Sequence, residues 1–365
     1  MGGSGSSGGS LPSLATYTFG QLRSTKVADC WDFGARAGIQ SMRAANVTAC
    51  TWGMGMVSLI QQRLLDFSAG IATTSPEDLT FHHTVTCQCA LPSARPDASL
   101  LTWERRQGRA TLLIEAGKVI DPRSGQFVQL ALPYGPKARL LLMHLNSEAV
   151  RRQSPVIPVE DSMTAFFRRL MGRTQDGRQA KMLKMQLSAL AAATFRMGIS
   201  QGDDRALQVN TQVVTAFDLW LSRDESQRVM WPSTLKLSLD YFESLNRFAV
   251  PLDERAVAAL AHSAVALDIY CWLAQRLHRI PEGRPQFIPW PALQEQFGQG
   301  YAQIRQFRAF FLKVLQQVST AYPEAKIEAD GRGMRLWTSL PPVRKRLVSV
   351  QSVTLTTRDL FTENS

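Results

Sequence analysis

One order of local signals occurs twice in the chain, and it limits the folds open to it more than any other feature. The first copy starts with "GPKARLLLMHLNSEAVRRQ", a helix with Pro136 near its first turn, where a missing N–H costs no hydrogen bond. Leu140, Leu141, Leu145 and Val150 supply part of its buried face. A short strand, "VIPV" at 156–159, follows, then "EDSMTAFFRRLMG", a short helix that Asp161 or Ser162 can cap and that ends at Gly172. A longer helix starts at "GRQAKMLKMQLSALA", and "ATFRMGISQGDDRALQVNTQVV" reads as a hairpin. The second copy runs from "DERAVAALAHSAVALDIYCWLAQRLH", a long helix, through "QFIPW", a strand, "PALQEQFG", a short helix, and "YAQIRQFRAFFLKVLQQVSTAYP", a longer one, to "AKIEADGRGMRLWTS", a hairpin turning at Gly331. The repeat is one of architecture rather than of sequence. Helix, strand, short helix, longer helix and hairpin is the order of a winged helix-turn-helix, whose second helix enters the major groove of DNA.

The expected fold class is therefore α+β, with two tandem winged-helix domains. The first spans 81–205 and the second 206–342. Residues 1–80 form an N-terminal extension with a short helix near 57–67, and 343–365 form a tail that contains "RKR" at Arg344 to Arg346. "FHHTVTCQCALP" predicts a strand ending at Pro92, and "ATLLIEAGKVIDPRSGQFVQLALP" predicts two strands joined by the turn "DPRSG". "MGGSGSSGGS" has no charged segment followed by an apolar core, so it reads as a flexible linker or added leader and not as a signal peptide. Residues 11–53 lack a helix or strand period, whereas "MGMVSLIQQRLLDF" has one, so a natural start near Met54 is expected. The apolar window Ala256 to Ala274 contains His262, Ser263 and Asp268. It falls short of a membrane span and predicts a buried helix.

Lys and Arg number 41 against 30 Asp and Glu, a formal charge of +11 that makes a polyanionic partner plausible. Nucleic acid leads, and an anionic membrane surface comes second. On a helical wheel, Leu183, Leu187, Leu190 and Ala191 share one side of the first longer helix, with Arg178, Lys181, Met185 and Ser188 opposite. No Asp or Glu occurs between Gly177 and Gly202, so the i,i+4 acidic partners of an ordinary solvated helix are missing. The second longer helix repeats the pattern. Ile304, Phe307, Phe311, Val314 and Val318 form its apolar stripe, Arg305, Gln306, Ala309, Lys313 and Gln316 lie opposite, Arg308 lies on the flank, and no acid occurs from Gln296 to Pro323. Arg pairs bidentately with guanine and Gln with adenine, while Lys more often meets phosphate. Arg178, Gln179, Lys181 and Lys184 are thus expected in one major groove and Arg305, Gln306, Arg308 and Lys313 in the next. Arg168, Arg169, Arg332 and Arg335 are expected to contact phosphate.

"LPYGPKARLLLMHLNSEAV", "SMTAFFRRLMG", "DGRQAKMLKMQLSALAAATFRM", "FDLWLSRDESQRVMWPSTLKLSLDYFESL" and "VPLDERAVAALAHSAVALDIYCWLAQRLHRIP" resemble the plasmid-encoded RepA family of replication initiators, over about Phe81 to Pro342. The resemblance implies two winged-helix domains that bind iterons, the direct repeats of a plasmid origin, in double-stranded DNA. It also implies recruitment of the host initiator and the replicative helicase, and a monomer–dimer equilibrium in which the first domain supplies the dimer surface.

Enzymatic chemistry finds no support in the residues. A rolling-circle nickase would need a His-hydrophobic-His metal motif, and adjacent His82 and His83 would point to opposite faces of a strand. His82, His83, Cys87 and Cys89 bring soft ligands close together, but "CQC" lacks the C-x2-4-C spacing of a zinc site. "AGKVI" at 116–120 lacks the glycine and hydroxyl of a phosphate-binding loop. His262 and His278 read as ordinary helix histidines, Asp203 and Asp204 as turn residues of a wing tip, and Cys271 as a core thiol. No catalytic residue, metal or cofactor is expected. Five scattered cysteines fit a reducing compartment, so a cytoplasmic protein without membrane attachment is expected. The same two winged helices would equally serve a transcriptional repressor on an operator, since fold does not fix function.

Overall fold

A computed structural model describes residues 78–121, 124–158, 177–200, 206–216 and 234–343, with further positions between 62 and 71 and at 165 and 168. All of these lie in one compact unit, Val57–Ser365. The expectations for a start near Met54, for Arg169, for Asp203 and Asp204 and for the tail beyond 343 lie outside the described residues. So does most of the short helix "EDSMTAFFRRLMG", of which Ala165 and Arg168 are helical. The short helix expected near 57–67 is helical at Gln62, Leu64, Asp66 and Phe67.

Helices and antiparallel strands build the fold, as an α+β protein requires. A helix that meets protein on every side organises it. This is α2 (Gly135–Arg152), with α1 (Thr84–Gln88) before it; every residue of α2 from Ala138 to Ala149 is buried. Pro136 occupies its first turn, as expected. β1 (Leu79–His83) and α3 (Gly177–Ala192) pack against α2.

The strand expected to run to Pro92 ends at His83. There the imidazole Nδ1 accepts the backbone N–H of Val85 at 3.2 Å and caps α1. A β-branched run such as "TVTC" satisfies either period, and a side-chain cap decided the matter. β1 pairs with β11 (Ala249–Asp253) from Leu79↔Asp253 to His83↔Ala249.

The hairpin of β7 (Thr194–Ser200) and β8 (Ala206–Gln212) forms as read, but it is no free-standing wing. β7 also pairs along its length with β3 (Ala110–Glu115), which pairs with β2 (Thr102–Gln107), giving the sheet order β2-β3-β7-β8. β2 escaped notice because the polar run "TWERRQ" carries little apolar alternation. β4 (Lys118–Ile120) and β5 (Phe127–Gln129) pair on either side of the expected "DPRSG" turn, of which Pro122 and Arg123 lie outside the described residues. The "VIPV" strand, β6 (Val156–Pro158), pairs with β10 (Thr234–Leu237), whose other neighbour is β9 (Val214–Ala216). Both β7/β8 and β1/β11 join residues on either side of position 205.

After α4 (Leu239–Phe248), the apolar window expected as one helix divides into α5 (Glu254–Leu260) and α6 (Ala264–Arg276). The break falls at Ser263, whose hydroxyl accepts from the N–H of Ala266 at 3.2 Å and so starts a new helix. Then follow β12 (Gln286–Pro289), α7 (Trp290–Phe297), α8 (Ile304–Ala321), β13 (Ile327–Ala329) and β14 (Gly333–Leu336), with sheet order β12-β14-β13. α8 lies against α5, α6 and α7. A single hydrophobic core runs from Leu64 to Leu336.

Candidate nucleic-acid interface

On α8, Phe307, Phe311, Val314 and Val318 are buried as the wheel requires, with Leu315 added. Ile304 departs from the expected stripe. It is 43% exposed, at the first position of the helix. Arg305, Gln306, Ala309, Lys313 and Gln316 are exposed together on the opposite side. Tyr301 stacks on Phe310 with ring centroids 5.0 Å apart, and Gln294 Nε2 donates to the Tyr301 carbonyl at 2.8 Å. The turn between α7 and α8 is thereby held, and with it the angle at which the basic face is presented.

Arg308 sits differently from its neighbours. It is half-buried, its guanidinium carbon lies 5.3 Å from the Trp290 ring centroid, and its Nη1 donates to the Gly331 carbonyl at 3.4 Å. Arg332, at the turn of the β13–β14 hairpin, is exposed. Arg335 turns back within the hairpin, 3.4 Å from Asp330 and 5.9 Å from the Phe287 ring centroid. Asp330 Oδ1 accepts the N–H groups of Arg332 and Gly333 at 2.8 and 3.0 Å, bonds that hold its carboxyl below the usual range. Trp290 and Asp330 were not singled out from the sequence. The available signals were a Trp-Pro at a helix start and an Asp opening "DGRG".

On α3, Leu183, Leu187, Leu190 and Ala191 are buried, while Arg178, Lys181 and Met185 are exposed, as read. The buried side is wider than read, since Ala180, Gln186 and Ala189 join it. Gln186 Oε1 accepts the Tyr134 backbone N–H at 2.8 Å, which ties α3 to the start of α2. Gln179 and Lys184 are half-buried, and partial burial lowers the Lys184 ammonium pKa. Arg168 is exposed.

His82, His83, Cys87 and Cys89, considered above as metal ligands, are all buried. His83 places Nε2 3.0 Å from the Ser244 hydroxyl and stacks on Tyr241, whose hydroxyl donates to Asn146 Oδ1 at 2.8 Å. His82 Nδ1 lies 3.5 Å from Asn146 Nδ2. Burial is the main cause that lowers the pKa of His82 to about 3 and of His83 to about 4. Burial also raises the Cys89 thiol to about 12. Buried imidazoles held neutral, and a buried Cys89 thiol held protonated, among packed side chains are core groups. Among the described residues, no helix is long and apolar enough to cross a membrane.

α3 and α8 each expose basic side chains, and neither helix contains an Asp or Glu of its own. Residues 132–291 of the chain match the family described as Plasmid encoded RepA protein. That span contains α2, α3 and the helices up to the start of α7, and it takes in all five of the segments whose resemblance was noted above. Crystal structures of domains 2 and 3 of RctB are similar to the chain at 11% identity. One aligns with a TM-score of 0.44, covering 72% of this chain and 99% of that one, and the other with 0.41, covering 69% and 94%. No curated protein matches the chain.

Proposed function

We propose that the protein is a plasmid replication initiator that binds direct repeats of its origin in double-stranded DNA, sequence-specifically, through two tandem winged-helix units. The observation that carries this reading is the pair of exposed, acid-free basic faces on α3 and α8. The match to the RepA family over 132–291 supports the replication role. In this reading α8 is the recognition helix of a unit made of α6, β12, α7, α8 and the β13–β14 hairpin. Arg305 and Gln306 lie near its N-terminus, where recognition helices meet base edges. The counterpart in the first unit is α3, presenting Arg178, Lys181 and Lys184. The protein acts by binding and by recruiting host replication proteins, with no catalytic chemistry of its own.

The test is a footprint of the purified protein on its flanking plasmid DNA at two salt concentrations. Evenly spaced protection over direct repeats, weakening steeply with salt, is the expected result. Protection confined to one palindrome over a promoter would instead make the protein a repressor.

A further inference from the structure

The β13–β14 hairpin is tied to the helices beneath it by an unusual concentration of polar links. Trp290, the first residue of α7, donates its indole N–H to the Asp330 carbonyl at 3.0 Å, and its backbone N–H to the Arg332 carbonyl at 3.2 Å. The ring is fixed from below by Phe311 of α8, edge to face with centroids 5.9 Å apart. Arg308, also on α8, lies over the same ring and reaches the carbonyl of Gly331, the residue before Arg332. Asp330 closes the turn through its bonds to the N–H groups of Arg332 and Gly333. At Gly333 a Cβ would lie 2.2 Å from the Ile288 carbonyl oxygen, so hairpin and β12 run closer there than any other residue allows.

Resting on the DNA-binding reading above, we propose that Arg308 is a positioning residue rather than a base contact: it clamps the hairpin turn onto α8 so that Arg332 is held at a fixed offset from Arg305 and Gln306 and meets a backbone phosphate. A guanidinium committed to an indole face and a backbone carbonyl is poorly placed to read a base edge. Its planar fork is what lets it do both tasks at once, and a lysine ammonium cannot replace it. The basic residues of α8 and of the hairpin then act as one preorganised surface. Little ordering of the hairpin is left to be done when DNA arrives.

The experiment measures binding of the full chain to a random-sequence duplex across a salt series, for Arg332→Ala, Arg308→Ala, Arg308→Lys and the Arg308→Ala/Arg332→Ala double variant. Each phosphate contact contributes about 0.9 to the slope of log affinity against log salt. Arg332→Ala is expected to lower the slope by about that amount, and Arg308→Ala and Arg308→Lys by a similar amount, with no further loss in the double variant. The thermal transition checks that Arg308→Lys remains folded, and its side chain keeps the charge. A slope restored by Arg308→Lys would make Arg308 a direct phosphate contact and overturn the proposal, as would additive losses in the double variant. If the unaltered protein shows no salt-dependent duplex binding at all, the DNA-binding reading itself fails, an outcome distinct from either of these.

Discussion

Nε and Nη2 of Arg139 meet the two carboxylate oxygens of Asp268 at 2.6 and 2.7 Å, across 129 residues of chain. The other N–H groups of the same guanidinium reach the carbonyls of Leu91, Pro92 and Gly135 at 2.6 to 3.0 Å, so all five donors are used inside the core. Burial raises the Asp268 carboxyl, and the guanidinium opposes it. The pair fastens α2, α6 and the 91–92 segment into one unit. Asp268→Asn or Arg139→Met should each cost ~3–5 kcal/mol, because each leaves its partner's charge buried and uncompensated. Arg139→Lys should be nearly as costly, since an ammonium cannot span both carboxylate oxygens and three carbonyls. Urea unfolding measures this, and an unchanged midpoint in Asp268→Asn would remove the pair from the account of stability.

The two buried histidines set an acid limit. Unfolded, each takes up a proton near its ordinary 6.5; folded, His83 resists until about 4 and His82 until about 3. Between those values the unfolded state binds more protons, so stability rises with pH. Their contribution is fully present above 6.5 and is lost as pH falls toward 4 and 3, at up to ~1.4 kcal/mol per pH unit for each ring. Unfolding midpoints measured at neutral pH and near pH 5 should differ in that direction, and the drop should be shallower in His82→Gln. A flat profile would falsify the assignment.

Two glycines offer a contrast. A Cβ at Gly117, between β3 and β4, would lie 1.8 Å from the Ala192 carbonyl at the end of α3, while one at Gly331 would meet nothing within 4 Å. Gly117→Ala must push strand and helix apart, and a loss of ~1–3 kcal/mol is expected. Gly331→Ala should stay within ~0.5 kcal/mol of the parent. Thermal unfolding of the two variants side by side decides it, and equal transitions would contradict the close approach.

The two basic faces predict different losses for different residue types. Arg305→Ala should cost ~1–3 kcal/mol on specific origin DNA and little on random duplex, as a base contact does. Lys181→Ala should weaken binding to every sequence and lower the salt slope by about one unit, as a phosphate contact does. Titrations of both variants on both duplexes separate the classes. Equal losses for Arg305→Ala on the two DNAs would move it to the phosphate class.

Wherever a helix carried a clear 3.6-residue period, its face could be read from the sequence. Leu183, Leu187 and Leu190 on α3, and Phe307, Phe311 and Val318 on α8, are buried because each alignment of apolar residues has a single solution on a helix. The exposed charges opposite them follow from the same geometry. The reading failed where the chain alone was ambiguous. "TVTC" suits strand or helix until the His83 cap is in place, and the long apolar window gave no warning that Ser263 would begin a new helix. The wheel puts Arg305 opposite the apolar stripe and Arg308 on its flank, but it does not tell that Arg308 is engaged beneath the hairpin while Arg305 faces solvent.

Local pattern by itself determined which face is buried on the helices with a clear period and the sign of the charges on the opposite face, because period and side-chain charge are properties of neighbours in the chain. Tertiary structure alone decided which strands share a sheet, that Arg139 finds Asp268, and that the hairpin turn is held by Trp290 and Arg308. These depend on groups far apart in sequence whose meeting is set by packing and by the hydrogen bonding of buried polar groups, and no local pattern records it.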